Sequence, residues 1–112
     1  MFKLNYKYHF DAAHHLENYD GKCSNLHGHR WEVEIEIFAK EKKSDMLVDF
    51  NVLKEVVDEL DHKNLNEVLD FNPTCENITY YLWQQITKVI DENYIATVQV
   101  WESPNASIKY ED

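Results

Sequence analysis

A stretch near the start of the chain, FKLNYKYHFDAAH, alternates without a break. Phe2, Leu4, Tyr6, Tyr8, Phe10 and Ala12 share one parity; Lys3, Asn5, Lys7, His9 and Asp11 share the other. Successive strand residues point to opposite faces, so the pattern predicts a long strand with one half-buried face. HRWEVEIEIFAKEKK alternates again, with Trp31, Val33, Ile35 and Ile37 set against Glu32, Glu34 and Glu36. The intervening ENYDGKCSNLHG carries turn chemistry at Asp20-Gly21, and its length suits an antiparallel hairpin. The glutamate row reads as a solvated face that also discourages stray edge pairing.

The period then changes. In DFNVLKEVVDELDH, Phe50, Leu53, Val57 and Leu60 recur at three and four, which predicts an amphipathic helix capped by Asp49 or Asn51. Asp49 and Phe50 read as helix start and core. KNLNEVLDFNPT reads as a connection. CENITYYLWQQITKVIDEN predicts a second helix with Thr74 as N-cap and Ile78, Leu82, Ile86 and Val89 on its apolar face. YIATVQVWES and ASIKYED read as two shorter strands joined at Pro104-Asn105. The order is ββααββ: one α+β domain over residues 1–112, an antiparallel sheet with two helices on one face. Its two long strands leave edges that pairing between subunits would close.

Charge narrows the partners. The net charge is −10 and Arg30 is the sole arginine, which argues against nucleic acid and against an anionic membrane surface. No apolar run approaches a membrane span, and MFKLNYKYHF lacks the apolar core of a secretion signal. The expectation is a cytoplasmic protein whose two cysteines, Cys23 and Cys75, stay reduced.

CSNLHGH concentrates metal-binding chemistry. His27 and His29 stand two apart at the start of a strand, so both imidazoles face one side. The hairpin brings the end of the first strand beside them, and with it His14 or His15. Parity with Phe10 and Ala12 favours His14, with His15 as the rival. Three converging histidines form the ligand set of an open catalytic zinc. Cys23 is then either a fourth ligand closing a structural site or a free thiol activated by a nearby cation. Glu102 interrupts an apolar strand just before a turn. A carboxylate there is either a strand-end surface charge or an acceptor for two parallel N–H donors.

FDAAHHL, CSNLHGHRW, MLVDFNVLK, LDHKNLN, NPTCEN and VWES occur together in this order. As a set they resemble the 6-pyruvoyl-tetrahydropterin synthase superfamily over nearly the whole chain. The short gap between Cys23 and His27 is most similar to its 6-carboxy-5,6,7,8-tetrahydropterin synthase branch. The resemblance implies zinc on His14, His27 and His29, with Cys23 a catalytic thiol rather than a ligand. It implies a catalytic pair in Asp61 and His62, a pterin anchor in Glu102, and Thr74 and Glu76 near the substrate. It implies a tunnelling fold, in which trimers close a barrel and stack as a homohexamer with active sites between subunits. The implied reaction converts 7,8-dihydroneopterin triphosphate to 6-carboxy-5,6,7,8-tetrahydropterin with loss of acetaldehyde and triphosphate, toward queuosine and other 7-deazapurines. Lys22, Lys63 and Arg30 are the cations available to a triphosphate. Cys75 stands where the family more often has Ser or Ala, and the last strand is short. The rivals are a 6-pyruvoyl-tetrahydropterin synthase and a non-catalytic zinc- or pterin-binding module.

Overall fold

A computed structural model describes all 112 residues. The two alternating segments form β1 (Phe2–His14) and β2 (His27–Ala39), paired antiparallel from Phe2↔Ala39 to His14↔His27. Strands of 13 residues rising about 3.3 Å each account for the 48 Å long axis of the molecule. The remaining strands are β3 (Lys63–Asn64), β4 (Ile95–Ser103) and β5 (Ala106–Glu111), and the sheet order is β3-β1-β2-β4-β5. The β4–β5 register shifts between Trp101 and Ser103, beside Glu102.

Three helices cover one face: α1 (Phe50–Asp58), α2 (Leu65–Val68) and α3 (Cys75–Val89). α1 packs on β1 and α3, and α3 packs on β4 and β5. Nineteen buried residues form one core between helices and sheet. Trp31 stacks on Phe10 at its centre, the ring centroids 5.7 Å apart and nearly parallel. The opposite face carries the charges: Lys7 pairs with Glu34, and Lys109 with Glu36. No helix is long and apolar enough to cross a membrane.

Three expectations need correction. The connection after α1 holds β3 and α2, so there are three helices rather than two. A two-residue strand and a four-residue helix are too short to show a period. They form because β1 offers a free edge at Ala12 and Ala13, and because the Asn64 side chain accepts from the Asn66 N–H at 3.1 Å, capping α2. Phe50, read as core, is 56% exposed. As the first residue of α1 it stacks on the half-buried Tyr6 of β1, the centroids 5.9 Å apart, and leaves much of its ring in solvent. Val89, read as part of the apolar face of α3, is the last residue of the helix and 42% exposed. Both caps form as expected: Asp49 Oδ1 accepts from Asn51 N–H at 2.9 Å, and Thr74 Oγ1 from Asn77 N–H at 3.1 Å.

Candidate metal centre

Strand parity puts His14, His27 and His29 on the helix side of the hairpin, at its looped end. His14 is fully buried, while His15 has the opposite parity and stays outside the cluster. Glu102 arrives from β4. One ligand atom from each of His14, His27, His29 and Glu102 lies within 4.8 Å of the others.

Second partners orient the rings. His14 Nδ1 lies 2.7 Å from the Pro73 carbonyl oxygen, and His27 Nδ1 lies 2.7 Å from that of Asn25. A carbonyl only accepts, so Nδ1 carries the proton in both rings and Nε2 presents a lone pair. His14 Nε2 and His29 Nε2 are buried without a hydrogen-bond donor or acceptor to satisfy them. Glu102 Oε1 lies 3.1 Å from the first and 3.6 Å from the second.

A carboxylate oxygen and a bare imidazole nitrogen are both acceptors. At this separation they repel unless a proton or a cation lies between them. Burial, more than any neighbouring charge, holds both His14 and His29 below the ordinary value of 6.5, which opposes the proton at neutral pH. A divalent cation satisfies every group at once. Neighbouring ligand atoms around a tetrahedral zinc, with bonds of about 2.0–2.1 Å, lie about 3.4 Å apart. The donor set therefore fits a metal ion in chemistry and in span.

Cys23 lies in a 3-10 turn, Lys22–Ser24, within the connection between the long strands. The residue is partly exposed, and its sulfur forms no disulfide and is not among the gathered ligand atoms. Its carbonyl accepts from the Leu16 N–H at 2.7 Å.

The Asp61–His62 pair sits at the β3 edge. Asp61 Oδ2 lies 2.8 Å from His62 Nδ1, and Asp61 Oδ1 accepts from the Asp11 N–H at 2.8 Å. The Asp11 N–H, then His62, hold the Asp61 carboxyl below the usual carboxylate range. His62 takes φ 58°, a left-handed conformation uncommon for a residue with a side chain. Its N–H donates to the Asp11 carbonyl at 2.6 Å, which pins it there. The ring is 80% exposed and shares a cleft of about 530 Å³ with Gly28, His29 and Arg30.

Thr74 spends its hydroxyl on capping α3, and Glu76 is exposed in the first turn without an ion pair. Neither joins the histidine cluster. Sequence reasoning missed the carbonyls of Pro73 and Asn25, because a backbone acceptor has no sequence signature. It also missed Asp11. There the one signal was register: Asp11 faces Arg30 across the hairpin and forms a bidentate pair with it, at 2.9 and 3.1 Å.

The family model described as 6-pyruvoyl tetrahydropterin synthase matches residues 3–112. A Haemophilus influenzae protein named 6-carboxy-5,6,7,8-tetrahydropterin synthase is 29% identical over 142 residues, covering 100% of both chains. A Pyrococcus furiosus protein named dihydroneopterin monophosphate aldolase is 34% identical over 114 residues, covering 97% of this chain and 96% of its own. The solved 6-pyruvoyl tetrahydropterin synthase of Caenorhabditis elegans superposes with a TM-score of 0.79 at 25% identity, over 99% of this chain and 95% of that one. Matched by that family model over residues 3–112, and by the Caenorhabditis fold over nearly its whole length, the chain belongs to the 6-pyruvoyl tetrahydropterin synthase family of pterin lyases.

Proposed function

We propose that the chain is a zinc enzyme that cleaves the side chain of 7,8-dihydroneopterin triphosphate, yielding 6-carboxy-5,6,7,8-tetrahydropterin, acetaldehyde and triphosphate. The observation that carries this reading is the pair of buried, partnerless Nε2 atoms on His14 and His29, facing a carboxylate. His14, His27 and His29 hold the ion. When bound, zinc supplies a Lewis acid that polarises the side-chain oxygens of the substrate.

The chain's own groups do the rest. Cys23, outside the ligand set, takes a proton from the side-chain carbon as thiolate. Asp61 fixes His62 through Nδ1, which leaves Nε2 as the acid or base. Glu102 is 31% exposed, which lets its carboxylate turn to accept two N–H bonds from the pterin edge. Thr74 and Glu76 border the substrate at the start of α3. His62 stands off the surface of its own chain, which suits a site completed by a neighbouring subunit in a stacked-trimer homohexamer.

Cys23→Ala tests the reading directly. Turnover should fall by about a hundredfold or more with zinc retained. Loss of metal and fold together would make the sulfur a ligand and end the enzyme reading.

One observation favours a second reading, aldol cleavage of dihydroneopterin monophosphate. Alignment to the Haemophilus relative runs to 142 residues against a chain of 112, so that relative has segments this chain lacks. The Pyrococcus aldolase aligns over 114 residues with almost none. Products separate the two. The first releases acetaldehyde and triphosphate, whereas aldol cleavage leaves the phosphate on the aldehyde fragment.

A further inference from the structure

Beyond His14 the sheet ladder stops, and three residues, His15, Leu16 and Glu17, open the connection that leads from the metal ligand to the cysteine turn. Their backbone groups do not go to strands. The Asn66 side chain brackets His15: Oδ1 accepts from the His15 N–H at 2.9 Å, and Nδ2 donates to the His15 carbonyl at 3.0 Å. The Asn72 side chain brackets Glu17 in the same way, at 3.0 and 3.4 Å. Between them, the Leu16 N–H donates to the Cys23 carbonyl at 2.7 Å. One residue earlier, His14 Nδ1 donates to Pro73.

An asparagine amide has the donor and acceptor of a peptide, so each side chain acts as one more rung of ladder. Neither is loose. The Asn66 N–H donates to the Asn64 side chain at the start of α2. The Asn72 carbonyl accepts from Thr74 N–H and from Asn77 Nδ2, both at 2.9 Å, at the start of α3. The clamp therefore ties Leu16, and through it the Cys23 turn, to the first turns of two helices. That turn has no buried residue of its own to anchor it.

We infer that Asn66 and Asn72 are positioning residues: they hold residues 15 and 17 so that the Leu16 N–H fixes the Cys23 turn relative to the histidine centre. The inference rests on the reading of Cys23 as the proton-accepting thiol. It adds that the reach of that thiol is set by two side chains which never touch the substrate. Asparagine is required at both positions. Aspartate has the same shape but sets an oxygen against the carbonyl of His15 or Glu17, and alanine offers neither bond.

Asn72→Ala and Asn72→Asp, each in a Cys75→Ser background, test it. The expected result is a fall in kcat of about tenfold or more, with KM moved less than about threefold, because the loss is one of placement. Iodoacetamide alkylation of Cys23 should shift by roughly threefold or more, with a displaced pH profile, as the turn loosens. Zinc should stay bound, and the isosteric aspartate should not rescue. Unchanged kcat and alkylation overturn the inference, as does rescue by aspartate or loss of the metal, which would trace the effect to His14. Shifted alkylation with unchanged turnover keeps the clamp and removes Cys23 from the chemistry. If neither variant folds, hydrogen exchange on the parent protein decides. The amides of His15, Leu16 and Glu17 should be protected together, and exchange at open-loop rates overturns the clamp.

Discussion

Two clusters of ionisable groups lie on opposite faces of the same hairpin end, and they differ in how complete they are. On the helix side, the Nε2 atoms of His14 and His29 are buried against Glu102, and His14 turns a bare acceptor toward the carboxylate. On the outer side, Asp11 pairs with Arg30, and both oxygens of Asp61 are engaged, one by Asp11 N–H and one by His62. Exposure would let water serve any group the outer cluster left over. Burial denies that to the inner one, where an unmet polar atom costs about 1–3 kcal/mol. The inner cluster thus has the donor set of a cation site, while the outer one is finished except for a single projecting imidazole.

The largest effect should come from breaking the inner cluster. His14→Ala removes the proposed ligand, the imidazole whose Nδ1 proton is fixed by the Pro73 carbonyl. Metal affinity should fall by more than about a hundredfold, and turnover should vanish with it, measured by metal analysis after dialysis. His62→Ala, on the outer side, should leave metal content untouched. If both variants retain metal, the comparison between the two clusters collapses.

His62 sharpens the contrast next. Its left-handed backbone costs about 1–3 kcal/mol and is held by the Asp11 carbonyl. His62→Gly removes that strain together with the imidazole. The melting temperature should hold or rise while kcat falls by about a hundredfold or more. A variant that loses stability along with activity would make His62 a structural residue.

Much of this arrangement was legible in the sequence. Period two gave both long strands and their register parity, and parity favoured His14, the buried one of the pair, over His15. The caps at Asp49 and Thr74 were equally readable, because a cap depends on a side chain and its near neighbours. What escaped is carried by long-range partners or by the backbone. β3 and α2 exist because Ala12 and Ala13 have a free edge fifty residues away in sequence. The Asn66 and Asn72 clamps looked like ordinary polar residues of a connection, since nothing local shows which distant peptide they bracket. Phe50 followed the helical period and still came out exposed, because as the first residue of α1 it rests on the Tyr6 ring rather than in the core.

Glu102 separates the two roles a carboxylate could have in the inner cluster. As a pterin anchor, Glu102→Gln should raise KM by about tenfold with metal retained. As a ligand it should lose metal and leave little activity from which to measure KM. Metal analysis beside steady-state kinetics distinguishes them, and retained metal with unchanged KM would remove Glu102 from both roles.

Cys75 gives the smallest effect on turnover and the clearest pH dependence. Its sulfur donates to the Val100 carbonyl at 3.5 Å, near the inner cluster. Burial, and then the charge of Glu102, pushes its thiol from 9.0 up to about 11. Because the folded value is the higher one, the protonated thiol's contribution to stability is fully present below pH 9.0. It is lost as pH rises from there toward 11. The parent protein and Cys75→Ser should therefore keep a constant stability difference up to pH 9.0, then diverge above it in denaturant titrations. Alkylation follows thiolate, so at pH 8 Cys75 should react about a hundredfold more slowly than an unshifted thiol. Mass spectrometry of singly labelled protein should find the label on Cys23. Turnover should be the same with serine at position 75, since that sulfur contacts no group assigned to the chemistry. Fast labelling of Cys75 at neutral pH would mean that the inner cluster is open to water, and with it would go the argument that burial demands a cation there.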